Sequence, residues 1–368
     1  MSISIAIIGA SGLVGSTLVA QILRSHLLEA KDRIQLVGHG AAASEGRLLG
    51  TRIDLLDAFD DERVEIEVVP KIIDVDASIV VIASGVASLP RFSNRRDMGV
   101  MNRDIFERIT EQCALKVPKA LYIVISNPVE LAIHILCQSL DRRRVLGMGS
   151  QQDSLRFARA IAKDLGISRR CVRACVLGEH GQSMVPIWST VELLTSNPSL
   201  HDALYKLREQ SMKVPLRKRV AELHAKVVQL LDDEKVAEAY EVVREALPDA
   251  RIFVEPFITA HNIHSTPNAT SNATLQFLTG VLAGDRRRLH AQVKLEGEVF
   301  GLNGICGVPI TLSSDGWHAE SLSNINSSEK EMMISSMKSI ADFISTVMNR
   351  PPEEGRVLSE PVACDTDR

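Results

Sequence analysis

Along the first 150 residues, runs that are apolar throughout alternate with segments of helical periodicity. SIAIIG, RIQLVGHG, VEIEVV, SIVVIASG and LYIVISNP are the apolar runs. TLVAQILRSHLL, the stretch around EGRLLGTRIDLLDAF and RDIFERITEQCAL fall between them as helices. Strands without a polar face, each followed by a helix, predict a parallel sheet covered on both sides. Near residue 150 the pattern changes. A helix, DSLRFARAIAKDLG, leads into a strand, CVRACVLG, and residues 200–248 are helix-rich. Strand-like HAQVKLEGEVFG and GVPITLSSDGW follow, then an amphipathic helix, SEKEMMISSMKSIADFISTVM. The expected fold is α/β: a Rossmann-type doubly wound parallel sheet over residues 1–149, then an α+β domain over 150–350. Residues 351–368, proline-rich and acidic, read as a frayed tail.

Composition narrows this picture. With 368 residues the chain is long enough for two domains, each with a core. Charged residues are 24%, the net charge is −4 and aromatic residues are 4%, so no basic stripe points to nucleic acid. The apolar runs are too short to span a bilayer, and the first strand starts almost at Met1, which leaves no room for a signal peptide. The six cysteines are scattered and read as buried free thiols, not zinc ligands. A cytoplasmic protein is expected.

In IAIIGASGLVGSTLV a strand runs into Gly9, Gly12 and Gly15, and a helix opens with Leu13 and Val14. Glycines at such a turn let the backbone approach a pyrophosphate held on the amides of the helix N-terminus. The second strand should then end in an acid for the adenosine ribose, but it ends in Gly38 and His39. Without that acid a 2′-phosphate is not repelled, and Ser44 and Arg47 are close in sequence. NAD is expected and NADP stays open.

Four further stretches carry chemistry. SGVASLPRFSNRRDMGVMNRDIF is an arginine-rich loop followed by a helix, and VISNPVE ends a strand with asparagine before proline. In GSQQDSLRFARAIAKDLGI an acid and an arginine three apart share a helix face. LGEHGQSMVPIWS places a histidine between an acid and a glycine. Taken alone, that histidine reads equally well as a loop histidine at a strand end.

In this order, after a dinucleotide turn, the set resembles the lactate/malate dehydrogenase family, closely over about residues 3–190 and again over 273–317. The resemblance implies a hydride transfer between a nicotinamide cofactor and a small L-2-hydroxy acid or 2-keto acid, malate/oxaloacetate foremost. It makes His180 the proton donor and acceptor, Asp153 the carboxylate that orients it, and Arg156 the grip on the substrate carboxylate. Arg95 would polarise the reacting carbonyl. Asn127 would meet substrate and nicotinamide, while Asn102, Ser84 and Gly85 would join the glycine turn and His39 on the cofactor side. Relatives imply a homo-dimer or homo-tetramer. The chemistry agrees with these types: an alkoxide needs a proton at neutral pH, and arginine's fork matches a carboxylate.

The chain departs from the family pattern in three places. Gln182 replaces the aspartate of GEHGDS. The substrate loop is about one residue longer, so the specificity position falls on Ser88 by ungapped count or on Arg91 by the Pro-Arg pairing. An insertion at about 232–266 precedes PNATSN, which should line the pocket; it reshapes the site, builds a subunit contact or is a surface elaboration. Competing readings are a lactate-like or bulkier 2-hydroxy-acid dehydrogenase, a NAD-dependent glycosidase-like enzyme, and a silent nucleotide-binding protein. The first class keeps the GEHG and DSLR stretches, the second needs a cysteine–histidine metal site, and the third would tolerate loss of His180.

Overall fold

The structure, a computed structural model, describes residues 2–59, 64–86, 95–263, 265–284 and 287–350. Its first half alternates as the apolar pattern predicts: β1 (Ser4–Ile8), α1 (Leu13–Arg24), β2 (Arg33–Val37), α2 (Ala42–Phe59), β3 (Glu65–Val69) and β4 (Ile79–Ile82). Next come α3 (Arg95–Lys116), β5 (Leu121–Val124), α4 (Val129–Leu136) and β6 (Val145–Gly147). These strands lie in the order β3-β2-β1-β4-β5-β6 and all pair in parallel. Chain order reverses between β1 and β4, so their C-terminal ends open a crevice there.

The second half opens with α5 (Gly149–Asp164), directly after β6. The run CVRACVLG, expected as one strand, is two: β7 (Val172–Arg173) and β8 (Val176–Gly178). After β9 (Met184–Pro186) comes β10 (Glu192–Leu193), which pairs with β7 in a separate ribbon. Helices α6 (Pro198–Met212), α7 (Leu216–Asp232), α8 (Val236–Arg244), α9 (Pro248–Ile263) and α10 (Pro267–Leu282) follow. The chain then forms β11 (Leu289–Glu296), β12 (Asn303–Ser313), β13 (Gly316–Ala319) and α11 (Ser327–Met348), whose Asn326 and Glu329 form a capping box. β11 joins β6 antiparallel, and β12, β8 and β9 extend the same sheet.

One apolar core consequently runs through both halves, with Ile5, Ile7 and Leu18 in the same cluster as Leu177, Val293 and Val308. The 232–266 segment is no surface elaboration. Its helix α9 packs on α5 and α7, and its Asp249 accepts two bonds from Arg219 (2.7 Å each) and one from Trp188 Nε1 (3.0 Å). Arg251, 3% exposed, clamps Asp164 of α5 at 2.9 Å. Buried charges of this kind persist where each has its partner, so α9 is locked along the helix that bears Asp153 and Arg156.

Candidate active site

The glycine turn after β1 has the shape to take a pyrophosphate. Gly9 has φ +91°, and its missing side chain lets the turn lie against the Ala83 and Ser84 backbone. A methyl on Gly15 would meet Ala10 Cα at 2.8 Å and collide with the Gly9 carbonyl. Gly12 stands before α1 and no side chain caps the helix, so the first amides of α1, from Leu13 and Val14, are left for an anion. Leu13 is exposed, and the Val14 carbonyl accepts a bond from Ser271 of α10 (3.5 Å), which ties the C-terminal half to the cofactor helix.

His39 is exposed past the end of β2. Ser44 is turned away from it: 2% exposed, it lies under Gly38, so of the two neighbours only Arg47 faces solvent. Ser84 and Gly85 follow β4, and Gly85 is exposed. Asn102 is wholly buried. Its Oδ1 accepts from Val86 N (2.7 Å) and its Nδ2 donates to the Asn127 carbonyl (2.8 Å), so it braces two strand ends. Asn127 itself is exposed, at a cis bond to Pro128.

The chemical group is assembled from β8 and α5. His180 follows Gly178, whose φ of +79° turns the chain out of β8. Its ring lies against Gly149, the first residue of α5, where any Cβ would collide with it. Its Nδ1 is 2.6 Å from Asp153 Oδ2, and Arg156 Nη1 donates to the other oxygen, Oδ1, at 2.9 Å. Asp153 is 1% exposed. Burial alone would raise its pKa, but His180 and Arg156 outweigh this and hold the carboxyl below its usual range, hence ionised. Arg156 also reaches Thr266 Oγ1 (3.4 Å), which Gln152 bonds at 2.9 Å, so the start of α10 closes over this face of α5.

Arg95 differs from expectation. It is the first residue of α3, and its guanidinium pairs with Glu130 Oε2 (2.7 Å) and Glu179 Oε1 while lying over the Phe343 ring. These two acids were missed by sequence reasoning. Glu130 is 0% exposed and its Oε1 accepts from His180 N (2.6 Å); Glu179 Oε2 accepts from Ser183 N (2.8 Å). Their signal was present in the sequence: each is a lone carboxylate in an apolar run, NPVELAIHIL and ACVLGEHG. Ser88 and Arg91 lie outside the described residues, so the choice between them stays with the sequence.

Comparison with known proteins supplies the remaining evidence. The lactate/malate dehydrogenase NAD binding domain matches residues 3–147, and the alpha/beta C-terminal domain of the same family matches 151–239. A malate dehydrogenase of Methanosphaera stadtmanae is 30% identical over 196 residues, 52% of this chain and 60% of that protein. A malate dehydrogenase of Nostoc sp. is 29% identical over 343 residues, 91% of each chain. In fold, the chain is similar to the malate dehydrogenase of Aeropyrum pernix, with a TM-score of 0.72 at 20% identity, covering 93% of this chain and 97% of that one. Two consecutive domains of one family thus match residues 3–147 and 151–239, which hold the glycine turn and then the His180–Asp153–Arg156 group, and the chain belongs to the lactate/malate dehydrogenase family of NAD-dependent 2-hydroxy-acid oxidoreductases.

Proposed function

We propose that the chain interconverts L-malate and oxaloacetate with NAD, and that His180, Asp153 and Arg156 perform the work on the substrate. The observation that carries this reading is the shared carboxylate: Asp153 holds His180 through one oxygen and Arg156 through the other. When bound, the nicotinamide supplies the hydride chemistry. Arg156 grips the carboxylate beside the reacting carbon with its planar fork. Asp153 binds Nδ1 of His180 and so fixes the tautomer and orientation of the ring. Nε2 can then hand a proton to the alkoxide oxygen as it forms, and recover it in the reverse direction.

Malate dehydrogenases at 29–30% identity, two of them over 91% of the chain, support malate over lactate. A dicarboxylate needs a second cation, and Arg91, in the loop before α3, is the candidate. Arg95 is held by two acids, so its service to the carbonyl requires release from Glu130 and Glu179. Leu49 and Ile53, half exposed on α2, support a homo-dimer or homo-tetramer, and free cysteines support a reducing, cytoplasmic setting.

Steady-state rates with oxaloacetate, pyruvate and bulkier 2-keto acids, each with NADH and NADPH, test the proposal. Oxaloacetate with NADH should give the highest kcat/KM. Preference for pyruvate would overturn the malate reading, and no turnover of any 2-keto acid would overturn the role of His180. Arg91→Gln should lower oxaloacetate turnover by orders of magnitude while sparing pyruvate, since a charge-assisted pair in a closed site is lost.

A further inference from the structure

A cavity of about 300 Å³ borders α5, starting from Gln152, Arg156 and Thr266 on the face already described and reaching residues farther along the helix. Arg156 and Arg159 of α5 line one side, Arg169 of the turn before β7 another, and Glu255 and Thr259 of α9 face them, with Asn272 of α10 at the end. Three guanidiniums thus meet one carboxylate. Asp153 engages Arg156 and Glu255 pairs with Arg159, whereas Arg169 has no acidic partner among the described residues. Arg156 is largely buried, with a side chain 17% exposed, while Arg159 at 55% forms the open rim. The Asn272 amide faces the same space, and no other described residue hydrogen-bonds it. Since a water takes about 30 Å³, such a volume holds roughly ten waters or one small organic acid.

We infer that this cavity is a binding site for a small polyanion bearing two or more carboxylate or phosphate groups, overlapping the substrate site at Arg156 and extending beyond it to Arg159 and Arg169. Three guanidinium forks from two elements, α5 and the turn before β7, suit separate anionic groups, which a single monocarboxylate would not satisfy. Glu255 holds Arg159 until an anion takes its place. Because Arg156 serves both ligands, the polyanion and the 2-keto acid exclude each other. That last step rests on the proposed function, while binding itself does not.

Calorimetric titration of the full chain with tricarballylate and with pyrophosphate, against sodium chloride at matched ionic strength, tests the site. Saturable binding of either anion is expected, and the one preferred identifies the chemistry. Arg169→Gln and Arg159→Gln should each weaken it about tenfold or more, and Glu255→Gln should strengthen it severalfold. Thermal unfolding serves as the check that each variant is folded. Without polyanion, Arg169→Gln should keep the wild-type KM for the 2-keto acid. With it, the competitive rise in KM seen in wild type should be reduced. Absence of saturable binding overturns the inference, as do unchanged affinity in both arginine variants or weaker binding in Glu255→Gln. Binding with the expected variant pattern in a chain that turns over no 2-keto acid upholds the site and removes only the proposed function.

Discussion

Glu130 and Asp153 are both almost fully buried carboxylates, yet they answer to different cations. Asp153 serves the histidine ring from the Nδ1 side. His180→Ala and Asp153→Asn should each slow turnover by a factor on the order of 10²–10⁴, the usual scale for acid–base groups. Under the proposed function the two act as a unit, so the double variant should be little slower than either single, and multiplied losses would separate them. Glu130 instead holds the His180 backbone and shares Arg95 with Glu179. Arg95→Gln therefore leaves two facing acids without their cation. We expect a stability loss of about 3 kcal/mol, as for one-sided removal of a buried pair, along with slower turnover. Denaturant unfolding measures it, and Glu130→Gln introduced together with Arg95→Gln should recover part of the loss. A variant as stable as wild type would mean that the ion triad is dispensable.

At the scale of elements, the cofactor edge depends on how closely β1, α1 and β4 approach. Gly15→Ala places a methyl against the Gly9 carbonyl and 2.8 Å from Ala10 Cα, both backbone, so the turn must move. NADH affinity, followed by nicotinamide fluorescence, should fall by about tenfold, or ~1.4 kcal/mol, or more. Wild-type affinity in that variant would mean that the turn does not shape the cofactor site. His39, exposed beyond β2, offers a gain-of-preference test. His39→Asp should shift kcat/KM towards NADH over NADPH by bonding the ribose and repelling a 2′-phosphate. No shift would place the ribose away from β2. The helices α1, α2 and α5 and the strands β1 to β5 were legible because their periodicities are uninterrupted. The division of CVRACVLG into β7 and β8 was not, since an apolar run does not say which sheet will take it.

For the whole molecule, the antiparallel half carries a pH liability. His290, on β11, has Nδ1 sealed from solvent without a hydrogen-bond partner among the described residues, and burial, aided by Arg288, lowers its pKa from 6.5 to about 4. The unfolded chain takes up a proton below pH 6.5 that the folded chain refuses until about 4. Stability therefore rises with pH across that window and is lost as pH falls through it, roughly 2 kcal/mol between pH 6.5 and 5 at 1.36 kcal/mol per unit. Asp153, with a lowered pKa, acts only beneath the ordinary carboxylate range and does not contribute there. Urea unfolding at pH 7 and pH 5 should show the loss in wild type and a smaller one in His290→Gln. Equal losses would assign the effect to other groups.

Local chemistry by itself determined the alternation of strand and helix and the glycine turn, because period and backbone freedom are written residue by residue, whereas His180, Asp153 and Arg156 were singled out only by the resemblance that the ordered motifs bear to a known family. Even the pairing of Asp153 with Arg156 followed from helical spacing. Other features belong to the tertiary structure alone. That β11 and β12 extend the first sheet, that α9 locks onto α5, and that Arg95 is claimed by Glu130 and Glu179 depend on segments 35 to 150 residues apart meeting in space. Lone acids in apolar runs hinted at buried partners but could not name them. Which cation neutralises a buried carboxylate is settled by which elements pack together, and packing is a property of the folded chain.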